Sequence, residues 1–208
     1  MRFILVRHPQ TVANFENRLV GVTNSPYTEH GHKQAQALID FLSTAEYDAI
    51  YASPILRSKY IGEEVGKKLQ QDVHIMPWLG EINFGDMEGV AFDEFEKLNV
   101  DLEEYKKNIF DFRYPNGEMW LEFYADRKRY IDEMRGQEGT CLFTTHGGTI
   151  WALSAAIVGK ELQEHRGPIM SNASILIAEC NKDDGEILKV IDIDDVMNGK
   201  LTHFNYWE

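Results

Sequence analysis

Residues 3–14 read FILVRHPQTVAN, that is Phe3-Ile4-Leu5-Val6-Arg7-His8-Pro9-Gln10-Thr11-Val12-Ala13-Asn14. The first four form a short apolar run with β-branched members, the length of a buried strand and too short for a core helix. The run ends abruptly at Arg7-His8, and Pro9, which has no N–H to donate, stops the ladder there. A lone basic pair at such a point would ordinarily be a solvated turn. Here the pattern recurs, because two further strand-like runs are followed by Arg57 and by His146.

Downstream of Asn14, a polar loop leads to Thr28, which reads as an N-cap. Ala35, Ala37, Leu38, Phe41 and Leu42 then mark one face of a helix over 29–43. Residues 49–52 form a second strand. Ser53-Pro54 gives an N-cap serine with proline at the first helical position, predicting a helix to residue 69 with Arg57 in its first turn. A third strand over 73–76 is closed by Pro77, and Glu81 follows. The rhythm breaks between 82 and 113, an acidic, aromatic stretch with short amphipathic pieces around 92–98 and 102–109. A turn at Pro115-Asn116-Gly117 precedes a long helix over 118–134. A fourth strand over 141–144 leads through His146-Gly147-Gly148 into a helix reaching residue 158. Two last strands cover 173–180 and 187–193, and Phe204, Tyr206 and Trp207 of the tail are expected to pack on the body.

The 208 residues suit one domain, with 82–117 as a cap insertion within it. A hydrophobic content of 43% supports a real core, and a formal net charge of −13 argues against nucleic acid and anionic membranes as partners. No run approaches the ~20 apolar residues of a membrane span, and no signal-peptide pattern is read at the amino terminus. Cys141 and Cys180 lie in strand-like runs without a CxxC pair and read as buried thiols, so the expected compartment is the cytoplasm. The expected assembly is a monomer or a homodimer.

Strands alternating with helices imply an α/β fold, a mostly parallel sheet covered on both faces. Ligands of such sheets bind outside the carboxyl edge of the strands. His8, Arg57, Glu81 and His146 each follow a different strand at that edge, so they are expected to converge. Two arginines and two histidines there, joined by the first-turn N–H groups of helices starting at Ser53 and Gly147, make a site for an anion with several oxygens. The donors outnumber what two carboxylate oxygens can use, which favours a tetrahedral phosphate.

These residues also carry a resemblance. LVRHPQTVAN (5–14) resembles the LVRHGETxxN signature of the histidine phosphatase superfamily, the phosphoglycerate mutase-like family. SPYTEHG (25–31), SPILRS (53–58), EINFGDMEG (81–89) and THGGTI (145–150) continue the match in family order. The resemblance implies a three-layer α/β/α sandwich and a phosphomonoesterase. It implies His8 as nucleophile, forming a phosphohistidine. Arg7, Arg57 and His146, with Asn14 and the Gly147 backbone, would bind the phosphoryl oxygens. Glu81 would act as general acid and then base. No metal or other cofactor is expected, because the two arginines supply the charge a cation would otherwise bring. EINFGDMEG matches the phosphatase branches, including α-ribazole phosphatases and broad-specificity enzymes, rather than the mutases with their ERHYG-type block. The alternatives are a cofactor-dependent phosphoglycerate mutase and a catalytically impaired relative that binds phospho-ligands.

Three positions depart from the family pattern. Pro9 stands for the usual glycine, Gln10 for an acidic residue, and Met119 for the serine of a PxGES motif. His30, His32 and His74 read as surface or structural residues, and His165 and His203 as late-loop residues whose approach to the site the sequence leaves open. Between Ile82 and Glu118 there are ten acidic and four basic residues. If this segment faces the mouth of the site, it disfavours leaving groups with a second phosphate or carboxylate. The aromatic residues from Phe84 to Tyr124 would, where they face the cleft, suit a flat, neutral leaving group.

Overall fold

The computed structural model describes residues 1–91, 94–95 and 102–205. In chain order the elements are β1 (Arg2–Arg7), α1 (Val12–Phe15), α2 (Glu29–Leu42), β2 (Ala49–Ala52), α3 (Leu56–Leu69), β3 (Val73–Ile75), α4 (Leu102–Lys107), α5 (Trp120–Met134), β4 (Thr140–Thr145), α6 (Gly147–Ile157), β5 (Ile175–Cys180), β6 (Gly185–Ile191) and α7 (Ile193–Met197). Single 3-10 turns lie at Pro77–Leu79 and Gly85–Met87.

The strand period of two divides the core into two layers. Phe3 and Leu5 of β1 join Cys141 and Phe143 of β4 on one face, under α5 and α6. Ile4, Val6 and Leu142 face the other way, against α2 and α3. The sheet order is β3-β2-β4-β1-β5-β6. The first four strands in sequence run parallel, β1 against β4 and β2 against both β3 and β4. β5 is antiparallel to β1, and β6 to β5. The result is the α/β/α sandwich around a mostly parallel sheet. Among the described residues no helix is long and apolar enough to cross a membrane, and Cys141 and Cys180 are free and buried.

Several expected boundaries move, each for a local reason. The helix expected from Ser53 begins at Leu56, because the Ser53 hydroxyl accepts from the Ile55 N–H at 3.1 Å and holds a turn there. Arg57 keeps its first-turn position. α5 begins at Trp120 rather than 118, since the Glu118 carboxylate accepts instead from the Asn83 N–H at 2.7 Å. Met119 is the N-cap of α5 and offers no side-chain acceptor, which a serine there would. β5 starts at Ile175, after Ala173 turns the chain with φ +60°. α7, absent from the sequence reading, is capped by Asp192 and is too short to show a helical period. The expected piece at 92–98 lies outside the described residues apart from 94 and 95, as do Tyr206 and Trp207. Phe204 is buried with its ring 5.2 Å from Phe41.

The described part of 82–117 joins the α5/α6 side of the core. Phe84 meets Tyr114 edge-on at 4.9 Å, Phe112 meets Tyr114 at 5.4 Å, and Tyr105 meets Phe112 at 5.3 Å. These edge-to-face pairs suit the ring quadrupoles.

Candidate active site

Four strand ends supply the site. Arg7 closes β1 and follows Phe3 and Leu5 on their face, so its side chain turns toward α6, and a Cβ on Gly147 would lie 3.2 Å from its Nε. One guanidinium nitrogen of Arg7 donates to the Met170 carbonyl, while Nε is buried without a partner. His8 leaves the ladder with its N–H still donating to the Thr145 carbonyl at 3.1 Å. That carbonyl also accepts from the Ser58 hydroxyl of α3 at 3.1 Å, so β1, α3 and β4 meet at one oxygen.

The His8 ring is 4% exposed and held at both nitrogens. Nδ1 lies 2.8 Å from the Pro9 carbonyl, a partner that can only accept, so Nδ1 carries the proton. Nε2 is then the unprotonated nitrogen, and it accepts from Arg57 Nε at 3.2 Å. The glycine-to-proline departure at residue 9 removes an N–H but keeps the carbonyl that orients the ring. The Arg57 terminal nitrogens donate to the carbonyls of Thr23 at 2.8 Å and Gly21 at 2.6 Å.

His146 is the N-cap of α6, fully buried, with its ring 5.3 Å from that of His8. Its Nε2 lies 2.7 Å from the Ser53 hydroxyl. The Ser53 hydroxyl accepts from Ile55 and still has a proton and a lone pair to offer His146. The other ring nitrogen, Nδ1, is buried without a protein partner, and it is a donor when Ser53 gives its proton to Nε2. Ser53, read from sequence as a helix cap, is instead the group that holds the His146 ring in place.

Glu81 is 8% exposed, and its carboxylate accepts from the N–H of Gly148 at 2.9 Å and of Ile82 at 3.1 Å. Thr149 bonds the neighbouring Gly80 carbonyl at 2.8 Å, and Thr145 the Leu79 carbonyl at 2.6 Å, tying this segment to β4 and α6. A Cβ on Gly148 would come within 2.6 Å of both the Glu81 carboxylate and the Trp120 ring, so only glycine lets all three approach. Asn14 accepts at Oδ1 from the Thr11 N–H at 3.1 Å, the Thr11 hydroxyl at 2.9 Å and the Asn172 amide at 3.1 Å, which leaves Nδ2 as its unused donor.

A cavity of about 490 Å³ opens at this site, with Arg7, Asn14, Glu81, Gly147 and Gly148 in its lining; His8, Arg57 and His146 are not in the lining. Phe84, Trp120 and Trp151 form an aromatic wall, Trp120 lying 5.3 Å from Trp151 and 6.3 Å from Phe84, ring centre to ring centre. The acidic residues of 82–118 do not line it among the described residues. Glu88 is turned to the N–H groups of Val22 and Thr23, and Glu118 to that of Asn83. Among the described side chains the expected charge effect of the cap has no lining residue behind it, whereas the aromatic stretch supplies Phe84 and Trp120, with Trp151 of α6 beside them. Asp93, Glu96 and Asp101 lie outside the described residues, and so does the side chain of Glu104.

Arg7, His8, Asn14, Arg57, Glu81, His146 and Gly147 are thus brought together at one sheet edge. His165, 4% exposed, bonds Ser154 at 2.8 Å and is not part of the lining; His203, His30, His32 and His74 are exposed. No group of three or more His, Cys, Asp or Glu is placed to hold a metal ion among the described residues.

Burial, then the charges of Arg57 and Arg7, hold the His8 imidazole well below its ordinary range, with the Pro9 bond opposing. Burial, Arg57, His8 and Arg7 do the same for His146. Both rings are therefore neutral at neutral pH in the folded protein, whereas the unfolded chain takes up these protons near pH 6.5. Their folded pKa values lie below the unfolded one. The stability they contribute is whole above about pH 6.5 and is lost as the pH falls from there toward and through the folded values. We expect urea midpoints to drop between pH 7.5 and 5.5, with a slope of up to about 1.4 kcal/mol per pH unit for each ring. The His8→Asn variant should show a shallower slope, and an unchanged slope would contradict the assignment.

A buried, neutral imidazole flanked by two arginines at the carboxyl edge of a parallel sheet defines an α/β protein with a site built for a polyoxyanion. Sequence comparison makes the assignment specific. The model of the histidine phosphatase superfamily (branch 1) matches residues 3–193, and the chain belongs to that superfamily. It is similar to phosphoserine phosphatase 1 of Hydrogenobacter thermophilus, with 26% identity over 91% of this chain and 92% of that protein. It is 29% identical to the adenosylcobalamin/alpha-ribazole phosphatase of Escherichia coli over 76% of this chain and 80% of that one. The crystal structure of the alpha-ribazole phosphatase from Shigella flexneri shares the fold with a TM-score of 0.81 at 24% identity, covering 93% of this chain and 97% of that one. The chain is a phosphoric monoester hydrolase of this superfamily.

Proposed function

We propose that the enzyme hydrolyses a small phosphomonoester without a metal ion, through a phosphohistidine on His8. The observation that carries this reading is the His8 ring itself. Its Nδ1 proton is held by Pro9, so the lone pair of Nε2 points at the place where Arg57 donates. When phosphate enters, Arg57 exchanges that contact for a phosphoryl oxygen. Nε2 forms the N–P bond as the ester P–O bond breaks, and Glu81 gives its proton to the leaving oxygen. Arg7 Nε and His146 Nδ1, both buried without protein partners, and Asn14 Nδ2 hold the oxygens whose charge is redistributed. Glu81 then takes a proton from the water that cleaves the N–P bond.

The substrate we propose is α-ribazole 5′-phosphate or a similar sugar- or nucleoside-like monophosphate. The aromatic wall of Phe84, Trp120 and Trp151 would take the flat group, and the E. coli and S. flexneri relatives carry the α-ribazole phosphatase name. The test is kcat/KM for a ribose 5-phosphate ester bearing a flat base, compared with 3-phosphoglycerate and fructose 2,6-bisphosphate. The base-bearing ester should win, and a win for either anionic substrate would overturn the substrate assignment. Full activity is expected after exhaustive chelation, with inhibition by vanadate as a mimic of five-coordinate phosphorus. Activity that vanishes with chelator and returns with Mg²⁺ or Zn²⁺ would show a different mechanism.

Ser53→Ala removes the bond that fixes His146. Loss of one such bond costs about 1 kcal/mol, and we expect the vanadate inhibition constant to rise about fivefold to tenfold. An unchanged constant would separate Ser53 from phosphate binding.

A further inference from the structure

Asn172 lies outside every motif noted in the sequence. It sits three residues before β5, in a turn that approaches the site from the antiparallel side of the sheet. Its side-chain amide donates to the His8 carbonyl at 3.3 Å and to Asn14 Oδ1 at 3.1 Å. An NH₂ group has two protons, so these two bonds use its whole donor capacity. Asn172 is thus a single group bonded both to the residue bearing the proposed nucleophile and to the one bearing a proposed phosphate donor.

The rest of the turn is arranged around that contact. Ala173 adopts φ +60°, a left-handed conformation that costs a non-glycine residue energy. In this conformation its N–H donates to the same His8 carbonyl at 3.0 Å, and the next residue, Ser174, accepts from the Arg7 N–H at 3.0 Å. The His8 carbonyl therefore keeps one partner if Asn172 is lost. Asn14 Oδ1 keeps two, the Thr11 N–H and hydroxyl, but both belong to its own turn. Among the described residues, Asn172 is the partner of Asn14 Oδ1 from outside that turn.

We infer that Asn172 is a positioning residue for the phosphate site: its amide locks the Asn14 carboxamide to the His8 backbone, so that Asn14 Nδ2 faces the phosphoryl group. This rests on the reading of Asn14 as a phosphate donor. Asn172→Asp is the sharpest probe, because it is isosteric and replaces the donor by a carboxylate facing two acceptor oxygens. Asn14 must then swing away or turn its amide over, presenting Oδ1 to the phosphate.

The experiment is a double-mutant cycle on Asn14→Ala and Asn172→Asp, read as KM and kcat for p-nitrophenyl phosphate and as inhibition by inorganic phosphate. Asn14→Ala should weaken phosphate inhibition about tenfold, and Asn172→Asp should do so at least as strongly. Combining them should add less than about twofold to Asn14→Ala alone, since a residue acting through another has nothing left to act on. Asn172→Ala should fall between wild type and Asn172→Asp. A loss on Asn172→Asp that is the same with Asn14 present or absent would overturn the inference, as would no loss at all. If Asn14→Ala itself changes nothing, the reading of Asn14 fails and the inference falls with it, an outcome the single variant distinguishes from the other two.

Discussion

Replacing His8 by alanine is expected to lower hydrolysis of p-nitrophenyl phosphate by roughly 10⁴-fold or more, the scale on which a lost nucleophile acts. No neighbour can substitute. His146 is the nearest imidazole, but its Nε2 is occupied by Ser53 and its proposed place is against the phosphoryl oxygens. The variant also removes the acceptor of Arg57 Nε. That group keeps its backbone partners Thr23 and Gly21 through the other nitrogens, so the loop should stay in place. The measurement is steady-state turnover beside a urea melt of the same sample. Residual turnover within tenfold of wild type in a folded variant would remove His8 from the mechanism.

Glu81→Gln is expected to slow turnover by about 10²–10⁴, as typical for loss of a general acid. The loss should depend on the leaving group. Nitrophenolate departs without a proton and should suffer least, whereas a sugar alkoxide should suffer most. Glutamine also meets the Gly148 and Ile82 N–H groups with only one acceptor oxygen, so some of the loss is positional and common to all substrates. The slope of log kcat against leaving-group pKa isolates the chemical part. It should steepen in the variant, and a parallel line would remove the acid role.

Much of this site was legible in the sequence because the parallel strands place their followers at one edge. Arg7 and His8 after β1, Arg57 after β2, Glu81 after β3 and His146 after β4 could be assembled from strand ends and motif order alone. What was not legible has physical causes. Ser53 looked like a helix cap because serine before proline usually is one, and its partner His146 is 93 residues away. Asn172 precedes an antiparallel strand, so it is the amino end of β5 that meets the carboxyl edge of β1, a place the parallel-sheet rule does not search. For the described part of the acidic segment after Ile82, composition counts carboxylates without saying where they face. Glu88 and Glu118 are committed to backbone N–H groups instead of the cavity. The aromatic residues were a better guide, since Phe84 and Trp120 must be buried somewhere and the cavity wall is part of that core.

The central claim is that Nε2 of His8 attacks phosphorus while Nδ1 is held by Pro9. It is tested most directly by trapping the phosphoenzyme. A labelled ester is mixed with the enzyme for milliseconds and quenched in base, and the phosphopeptide and the ring nitrogen that carries phosphate are identified. The account predicts acid-labile, base-stable label on His8, at Nε2 and no other nitrogen, formed at up to one per chain before steady turnover begins. Label on Nδ1, on another residue, or in an acid-stable linkage would contradict it.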